Sequence, residues 1–427
     1  LRKERLWPYL DSLLDELLRR IRGEGRVPDV ILGHYADAGY VGAQLAKLLG
    51  VPFVFTGHSL GRVKRERLLA AGQDEASLEE RFNISRRIEA EEQALEAASL
   101  VTASTRQEVD EQYQGYDQYE PQRMEVIPPG VDLSRYSPPP LGWDNPPVGE
   151  ALRRFLREPD RPMLLALARP DPRKNFQRLV QAYGETPELQ EAANLVLVAG
   201  NRDDIREMDR EARRVLTEIL LLIDRYDLYG RVAYPKHHAS GDVPDLYRLA
   251  ARSRGVFVNP ALTEPFGLTL LEAAASGLPV VATDDGGPRD ILGTCGNGDL
   301  VDPLEPEEMG RTLLALLKDR ERWGRYAKSG LRNVHREYSW ESHARRVVEE
   351  LEGILAGARP ALAPVPRARM RHMDRLILTD VDGTLLGDDD AMEEVLRVLE
   401  AAGPNVGFGL ATGRSLHLAL ETIREKG

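Results

Sequence analysis

The sequence predicts an α/β fold in which parallel strands alternate with helices. Apolar runs at residues 51–55, 163–167 and 195–200 have the length of buried strands. The clearest unit spans residues 256–282 and consists of an apolar strand, a loop carrying Glu264, a helix with leucines at helical spacing, and a second strand. In such β-α-β units a ligand site lies beyond the carboxyl ends of the strands, where helix N-termini offer free N–H groups to anions.

Composition and charge narrow the functional class. A length of 427 residues suggests about two to three domains. The formal charge of −12 disfavours a nucleic-acid partner, because a phosphate backbone requires a basic face. The sequence has no apolar run long enough to cross a bilayer, so we expect no membrane partner. Cys295 is the only cysteine, which excludes an intrachain disulfide and predicts a cytoplasmic location.

Composition shifts along the chain predict its domain boundaries. A Pro-rich stretch near residue 140 separates two α/β regions, and an Ala- and Pro-rich stretch after the second marks a linker. The chain starts without a methionine and stops within a pattern, so we expect a piece of a longer protein. We predict a first α/β domain at 1–155, a second at 156–355, a linker at 356–372, and the start of a third domain at 373–427.

Two strands of the first region end in loops that carry histidine and glycine. A strand at 29–32 leads to His34 and Asp37, and the strand at 51–55 leads to His58. A bare His58 is more typical of a satisfied loop histidine than of a ligand. For His34 and Asp37 structural and contact roles are equally open. Residues 75–98 predict one long charged helix.

Charged side chains follow two strands of the second region. Glu264 lies in a loop and Glu272 in the first turns of the next helix, and two carboxylates there suit sugar hydroxyls. Alone, that spacing is more typical of a capping residue and a solvated one. Arg169 and Lys174 share one loop after a strand, where fixed cations could stabilise a leaving diphosphate. Such a pair alone is more often surface charge.

The surrounding residues change this weighting. The stretch EPFGLTLLEAAASGLPVVAT, followed by GGP, resembles the donor-site signature of retaining nucleotide-sugar glycosyltransferases of the GT-B fold. The resemblance implies two Rossmann-like domains, the first of them N-terminally truncated because it lacks the family's Gly-rich loop. It also implies that the transferase needs no metal or other cofactor. The implied donor-binding residues are Arg169, Lys174, Phe266, Gly267, Leu268 and Glu272.

The motif T-G-H-S-L-G at residues 56–61 resembles that of sucrose-phosphate synthases and their relatives. In that family the histidine, here His58, faces the donor sugar near the reaction centre. The implied catalytic residues are His58, Glu264, Arg169 and Lys174. The implied residues that hold the acceptor fructose 6-phosphate are Tyr35, Ser59 and Lys64, together with one or more of Arg81, Arg86 and Arg87, among which the sequence does not choose.

A second motif follows the linker. D-V-D-G-T comes directly after an apolar strand, and with A-T-G-R-S-L it resembles haloacid-dehalogenase-type (HAD-type) sucrose-phosphate phosphatases. The resemblance implies Asp380 as nucleophile, Asp382 as acid–base partner, both as Mg²⁺ ligands, and Thr412 as the phosphate-binding hydroxyl. The lysine and later acidic motifs of that family are absent, so we expect no phosphatase activity from this segment.

The resemblances together predict a sucrose-phosphate synthase reaction. Glucose would pass with retention from an NDP-glucose, with UDP-glucose the expected donor, to fructose 6-phosphate, giving sucrose 6-phosphate. A partner sucrose-phosphate phosphatase would consume the product. One alternative is sucrose synthase, which uses free fructose, or a related sugar-phosphate glycosyltransferase. Another is a non-catalytic module that binds sugar phosphates.

Overall fold

The computed structural model describes residues 3–70, 72–357, 375–380, 394–395, 397–398, 401 and 406–411. The chain divides into two compact units, Leu1–Ala358 and Arg359–Gly427. The first unit contains two parallel sheets, as the alternation of strands and helices predicts. None of the described helices is both long and apolar enough to cross a membrane.

The first sheet is parallel and its strands follow chain order, β1-β2-β3-β4. Phe53 and Phe55 of β2, together with Leu95 and Val101, are buried in one apolar cluster beneath it. Its strands and associated helices are α1 Leu10–Glu24, β1 Ile31–His34, α2 Tyr35–Leu49, β2 Phe53–Thr56, α3 Gly61–Ala70, α4 Glu75–Phe82, α5 Ile84–Ala97, β3 Leu100–Ala103 and β4 Met124–Val126.

The second sheet is also parallel, with strand order β10-β9-β8-β5-β6-β7. Apolar clusters cover both faces, which explains why its strands are continuous apolar runs. Its elements are α6 Pro147–Arg153, β5 Met163–Leu167, α7 Phe176–Gly184, α8 Pro187–Ala192, β6 Asn194–Val198, α9 Arg210–Arg225, β7 Val232–Ala233, α10 Val243–Arg252, β8 Val256–Asn259, α11 Leu268–Ala275, β9 Val280–Thr283, α12 Gly287–Cys295, β10 Gly298–Val301, α13 Pro306–Lys318, α14 Arg320–Glu337 and α15 Trp340–Gly357.

The strand order of the second sheet creates a switch point. The chain runs from β5 outward through β6 to β7, then returns to place β8 on the other side of β5. Loops that follow β5 and β8 therefore diverge to opposite sides and leave a crevice between them. Arg169 and Lys174 follow β5, and Glu264 follows β8. The topology thus brings together the charged residues singled out in the sequence.

Two predicted elements were wrong in detail. The helix expected over residues 75–98 is two helices, α4 and α5, which meet at Asn83 with φ of 47°. Asparagine tolerates this left-handed conformation better than most residues, and the helical spacing of its neighbours conceals the break. The strand expected at 29–32 lies at Ile31–His34, so His34 ends the strand.

The two halves of the first unit touch at several points along the chain. Val131 N donates to the Tyr338 carbonyl (2.8 Å), and Arg106 N donates to Asp290 Oδ2 (2.7 Å). A Cβ on Gly130 would lie 2.5 Å from the Trp340 nitrogen, so only glycine allows this close approach. The contacts of Gly130 and Val131 hold the start of α15 against the segment that follows β4, and the Arg106–Asp290 contact joins the segment after β3 to α12.

In the second unit, β11 Arg375–Asp380 pairs in parallel with β12 Val406–Ala411. The backbone of Asp380 ends β11, as the sequence predicts, while Asp382 and Thr412 lie outside the described residues. Among the residues that are described, no group of three His, Cys, Asp or Glu side chains could hold a metal ion. The Mg²⁺ site expected from Asp380 and Asp382 stays a prediction.

Candidate active site

A short turn after β5 positions Lys174. Asp171 caps this turn by accepting from Arg173 N (2.9 Å), and Lys174 N donates to the Asp171 carbonyl (2.9 Å). Asn175, with φ of 55°, then donates from Nδ2 to the carbonyls of Pro260 (3.0 Å) and Pro303 (2.9 Å). The buried Asn175 amide therefore ties the β5 loop to the β8 loop.

The loop after β8 presents Glu264 to this lysine. Lys174 Nζ lies 2.7 Å from Glu264 Oε2, and Asn259 Nδ2 donates to the same oxygen (3.0 Å). The Glu264 side chain is 12% exposed and that of Lys174 is 29% exposed. An ammonium held in this way is oriented before any substrate arrives.

These residues line a cavity of 140 Å³. Its wall contains Arg169, which is exposed, and the partly buried Lys174 and Glu264. Apolar side chains from β5 and β8 also line it. Two cations beside one carboxylate suit a ligand that carries both phosphate and hydroxyl groups. The lining residues are Leu167, Ala168, Arg169, Lys174, Phe176, Val258, Asn259, Pro260, Glu264 and Thr269.

The helix that follows Glu264 begins directly after a glycine with positive φ. Gly267, with φ of 107°, precedes α11, and Leu268 is exposed at the first position of that helix. Phe266 packs against the apolar cluster beneath the sheet. A Cβ on Gly286 would lie 2.1 Å from the Glu264 carbonyl oxygen, so a glycine is required where the two loops touch. The backbone around Glu264 is thus held on both sides.

Glu272 is separated from this cavity. Its carboxylate accepts from Tyr247 OH (2.9 Å) and interacts with Tyr136, and burial raises its pKa. It is not among the residues that line the 140 Å³ cavity. The structure therefore brings Arg169, Lys174 and Glu264 together and leaves Glu272 with two tyrosines.

A pair of histidines lies at the carboxyl edge of the first sheet. His34 ends β1, and His58, with φ of 57°, follows β2. His34 Nδ1 lies 2.9 Å from His58 Nε2, and the rings stack with centroids 5.1 Å apart. Burial and the neighbouring His34 lower the pKa of His58. A hydrogen bond between the facing nitrogens requires one of them to donate and the other to accept.

A second, smaller cavity contains three of the predicted acceptor residues. Tyr35, Lys64 and Arg87 line it, together with Glu4, Trp7, Asp37 and Phe82. Lys64 Nζ lies 3.5 Å from the Phe82 ring centroid, and the Arg87 guanidinium lies 4.5 Å from that of Tyr35. Ser59 is exposed beside it, and its carbonyl accepts from Arg87 Nη2.

Of the arginines between which the sequence did not choose, Arg87 lines this cavity. Arg86 instead contacts Glu89 (2.9 Å) and covers the Tyr40 ring. Arg81 lies over Phe82 at 5.1 Å. The break at Asn83 separates Arg81 on α4 from the other two on α5, and Arg86 and Arg87 point to different sides of α5 because they are adjacent on one helix.

Sequence reasoning missed several residues that hold the site. Asn259 donates a hydrogen bond to Glu264, and the sequence feature that could have identified it is a polar residue at the end of an apolar strand. Glu91 holds Arg87 (Nε to Oε1, 3.0 Å), and its signal was an i, i+4 charge pair on an otherwise apolar helix face. The partnership of His34 with His58 had only the parallel neighbourhood of their strands as a signal.

Three protein families match successive parts of the chain. Residues 1–135 match Glycosyltransferase Family 4, and residues 149–330 match Glycosyl transferases group 1. Residues 373–427 match Sucrose-6F-phosphate phosphohydrolase.

Plant proteins are similar over most of the chain. "Sucrose-phosphate synthase" of Zea mays is 47% identical over 410 residues, covering 83% of this chain and 38% of that protein. "Probable sucrose-phosphate synthase 5" of Oryza sativa subsp. japonica is 46% identical over 411 residues, covering 80% of this chain and 40% of that protein. The chain thus spans about 40% of the length of these curated relatives.

Solved structures share the fold. A sucrose-phosphate synthase from Thermosynechococcus elongatus superimposes with a TM-score of 0.61 at 26% identity, covering 83% of this chain and 80% of the other. Anabaena Alr3699/HepE in complex with UDP-glucose gives 0.58 at 21% identity, covering 80% and 82%. The two sheets therefore form a GT-B architecture, as the sequence predicts. The plant relatives, the family matches and the shared fold together show that the chain belongs to the sucrose-phosphate synthase family of glycosyltransferases. A short segment of sucrose-6F-phosphate phosphohydrolase type follows the glycosyltransferase part.

Proposed function

We propose that this chain transfers glucose, with retention, from an NDP-glucose to fructose 6-phosphate, giving sucrose 6-phosphate and NDP. UDP-glucose is the proposed donor. The observation that carries the proposal is the Lys174–Glu264 ion pair beside Arg169 at the switch point of the second sheet. A fixed pair of cations beyond the strand ends suits a departing diphosphate, whose negative charge grows as the bond to the sugar breaks.

In this proposal the donor diphosphate faces Arg169 and Lys174. Glu264 has two tasks, since it holds the lysine through Oε2 and offers its remaining oxygen to a sugar hydroxyl. In this proposal the leaving phosphate helps to deprotonate the acceptor hydroxyl, so the protein mainly positions the substrates and neutralises their charge. His58, held by His34, would face the sugar near the reaction centre.

The acceptor side supports a phosphorylated sugar. Lys64 and Arg87 line one cavity with Tyr35, beside the carboxylates of Glu4 and Asp37, and two cations with a hydroxyl can bind a phosphate monoester. Free fructose lacks the phosphate that these cations would bind. This observation favours fructose 6-phosphate over the sucrose synthase alternative.

Product analysis tests the proposal. The protein is incubated with UDP-glucose and either fructose 6-phosphate or fructose, with and without Mg²⁺. We expect sucrose 6-phosphate from the phosphorylated sugar alone, with no need for Mg²⁺. Sucrose from free fructose would instead identify a sucrose synthase, and binding of fructose 6-phosphate without product would support a binding module.

The segment at 373–427 suggests a coupling of reactions. We propose that sucrose 6-phosphate passes to a sucrose-phosphate phosphatase acting as a partner, and that both work in the cytoplasm. Free sucrose formed in the Mg²⁺-containing reaction only after such a phosphatase is added would agree with this role. Free sucrose formed without it would instead mean that this segment is itself active.

A further inference from the structure

A buried carboxylate lies behind the acceptor cavity. Glu91 of α5 is fully buried and receives four hydrogen bonds. Gly61 N donates to both of its oxygens (2.8 and 3.1 Å), Arg87 Nε donates to Oε1 (3.0 Å), and Tyr116 OH donates to Oε2 (2.5 Å). Burial raises its pKa, but this number of donors favours the ionised form.

This carboxylate is placed at the N-terminus of α3. Gly61 begins α3, and the next amide, Arg62 N, donates to the same tyrosine hydroxyl that contacts Glu91 (3.1 Å). A negative charge stabilises the first N–H groups of a helix. A Cβ on Gly61 would lie 2.8 Å from Glu91 Oε2, so the close approach depends on glycine. Lys64 lies in the first turn of α3, so Glu91 helps to fix the position of Lys64 by holding the N-terminus of this helix.

The same carboxylate orients Arg87. With Nε held by Glu91, the guanidinium donates from Nη2 to the Ser59 carbonyl and covers the Tyr35 ring. The Arg87 side chain is 6% exposed, so its direction is restricted by this ion pair. The Glu91 carboxylate thus contacts the start of α3, which carries Lys64, directly. Through Arg87 it reaches Ser59 and Tyr35.

We propose that Glu91 is the positioning residue of the acceptor site: it joins α5, the 57–61 loop and the start of α3, and so sets the affinity for a sugar phosphate without touching it. The inference deepens the proposed function and rests on it for the identity of the acceptor. Loss of the charge leaves Arg87 without an ion-pair partner, because its remaining contacts are to a neutral carbonyl and a ring. It also removes the negative charge from the N-terminus of α3.

The test is the variant Glu91→Gln with Glu92→Gln as its matched control. Glu92 is the next residue of α5 and also contacts α3, through Arg62, but it reaches neither Gly61 nor Arg87. We expect Glu91→Gln to raise the KM for fructose 6-phosphate at least roughly tenfold, as for a lost hydrogen bond to a charged group. The KM for UDP-glucose should change less than about twofold in both variants.

Direct binding separates the two proposals. Calorimetry with fructose 6-phosphate alone is expected to show the same loss of affinity in Glu91→Gln, even if the wild-type protein forms no product and the proposed function fails. If Glu91→Gln does not fold, Tyr116→Phe removes one hydrogen bond to Glu91, and we expect a rise of a few fold in the same KM. Equal losses for both substrates, or an effect matched by Glu92→Gln, would reduce Glu91 to a general structural role and overturn the inference.

Discussion

Lys174→Ala tests the charge that we propose faces the leaving group. The substitution removes an ammonium held 2.7 Å from Glu264 Oε2 and leaves the turn that carries it intact, because this turn is held by backbone contacts and Asp171. We expect turnover to fall while binding of fructose 6-phosphate is kept, since Lys174 lies on the second sheet and the acceptor residues on the first.

The magnitude follows from the geometry. Two unit charges 4 Å apart interact by about 4 kcal/mol at the effective dielectric constant near a protein surface, about 20. Lys174 keeps 29% of its side chain exposed, Glu264 neutralises part of its charge, and Arg169 remains in the cavity. We therefore expect a loss of about 2–3 kcal/mol in transition-state stabilisation, which is a roughly 30- to 150-fold fall in kcat.

The assay measures initial rates of UDP release at saturating UDP-glucose and fructose 6-phosphate. Arg173→Ala is the matched control, because this neighbouring cation points to solvent and pairs with Asp171 outside the cavity. Thermal unfolding checks that both variants fold. If Lys174→Ala keeps kcat within about threefold of the wild type, or merely equals Arg173→Ala, the assignment of Lys174 to the leaving group is wrong.

Three further predictions concern other parts of the site. Lys64→Ala should raise the KM for fructose 6-phosphate at least roughly tenfold with little change for UDP-glucose, because a charge-assisted contact to phosphate is lost. Gly267→Ala should lower the free energy of unfolding by about 1–2 kcal/mol, because φ of 107° is unfavourable for a side chain, whereas Gly293→Ala, in open space, should not. NMR titration should give His58 a pKa below about 6.5, and removing a ring neighbour by His34→Gln should raise it. Since this pKa is lowered by folding, the stability that His58 contributes is present above its unfolded pKa and is lost as the pH falls through the folded value.

Each of these has a contrary outcome. Arg67→Ala on the same helix is the control for Lys64, and an equal effect of both would remove the acceptor role. Unchanged stability of Gly267→Ala would mean that the loop relaxes without cost. A His58 pKa that is insensitive to His34→Gln would show that burial alone lowers it.

The sequence predicted the α/β class, the two parallel sheets and the residues Arg169, Lys174 and Glu264, which meet in a cavity at the carboxyl edge of the second sheet. It could do so because apolar runs define buried strands, and because parallel strands present their carboxyl ends at one edge. The spacing of residues within one loop can be read directly from the sequence, because these residues are close together along the chain.

Other features required the tertiary structure. The break at Asn83 depends on one left-handed residue, which periodicity does not register, and packing decides which of the three arginines lines the smaller cavity. The attachment of Glu272 to tyrosines of other segments and the pairing of His34 with His58 arise from residues that are distant along the chain. The motifs and their resemblance to a known family indicated which chemistry to expect, whereas packing decided which of the chemically similar side chains line the two cavities, because the direction of a side chain is set by its contacts and not by sequence order.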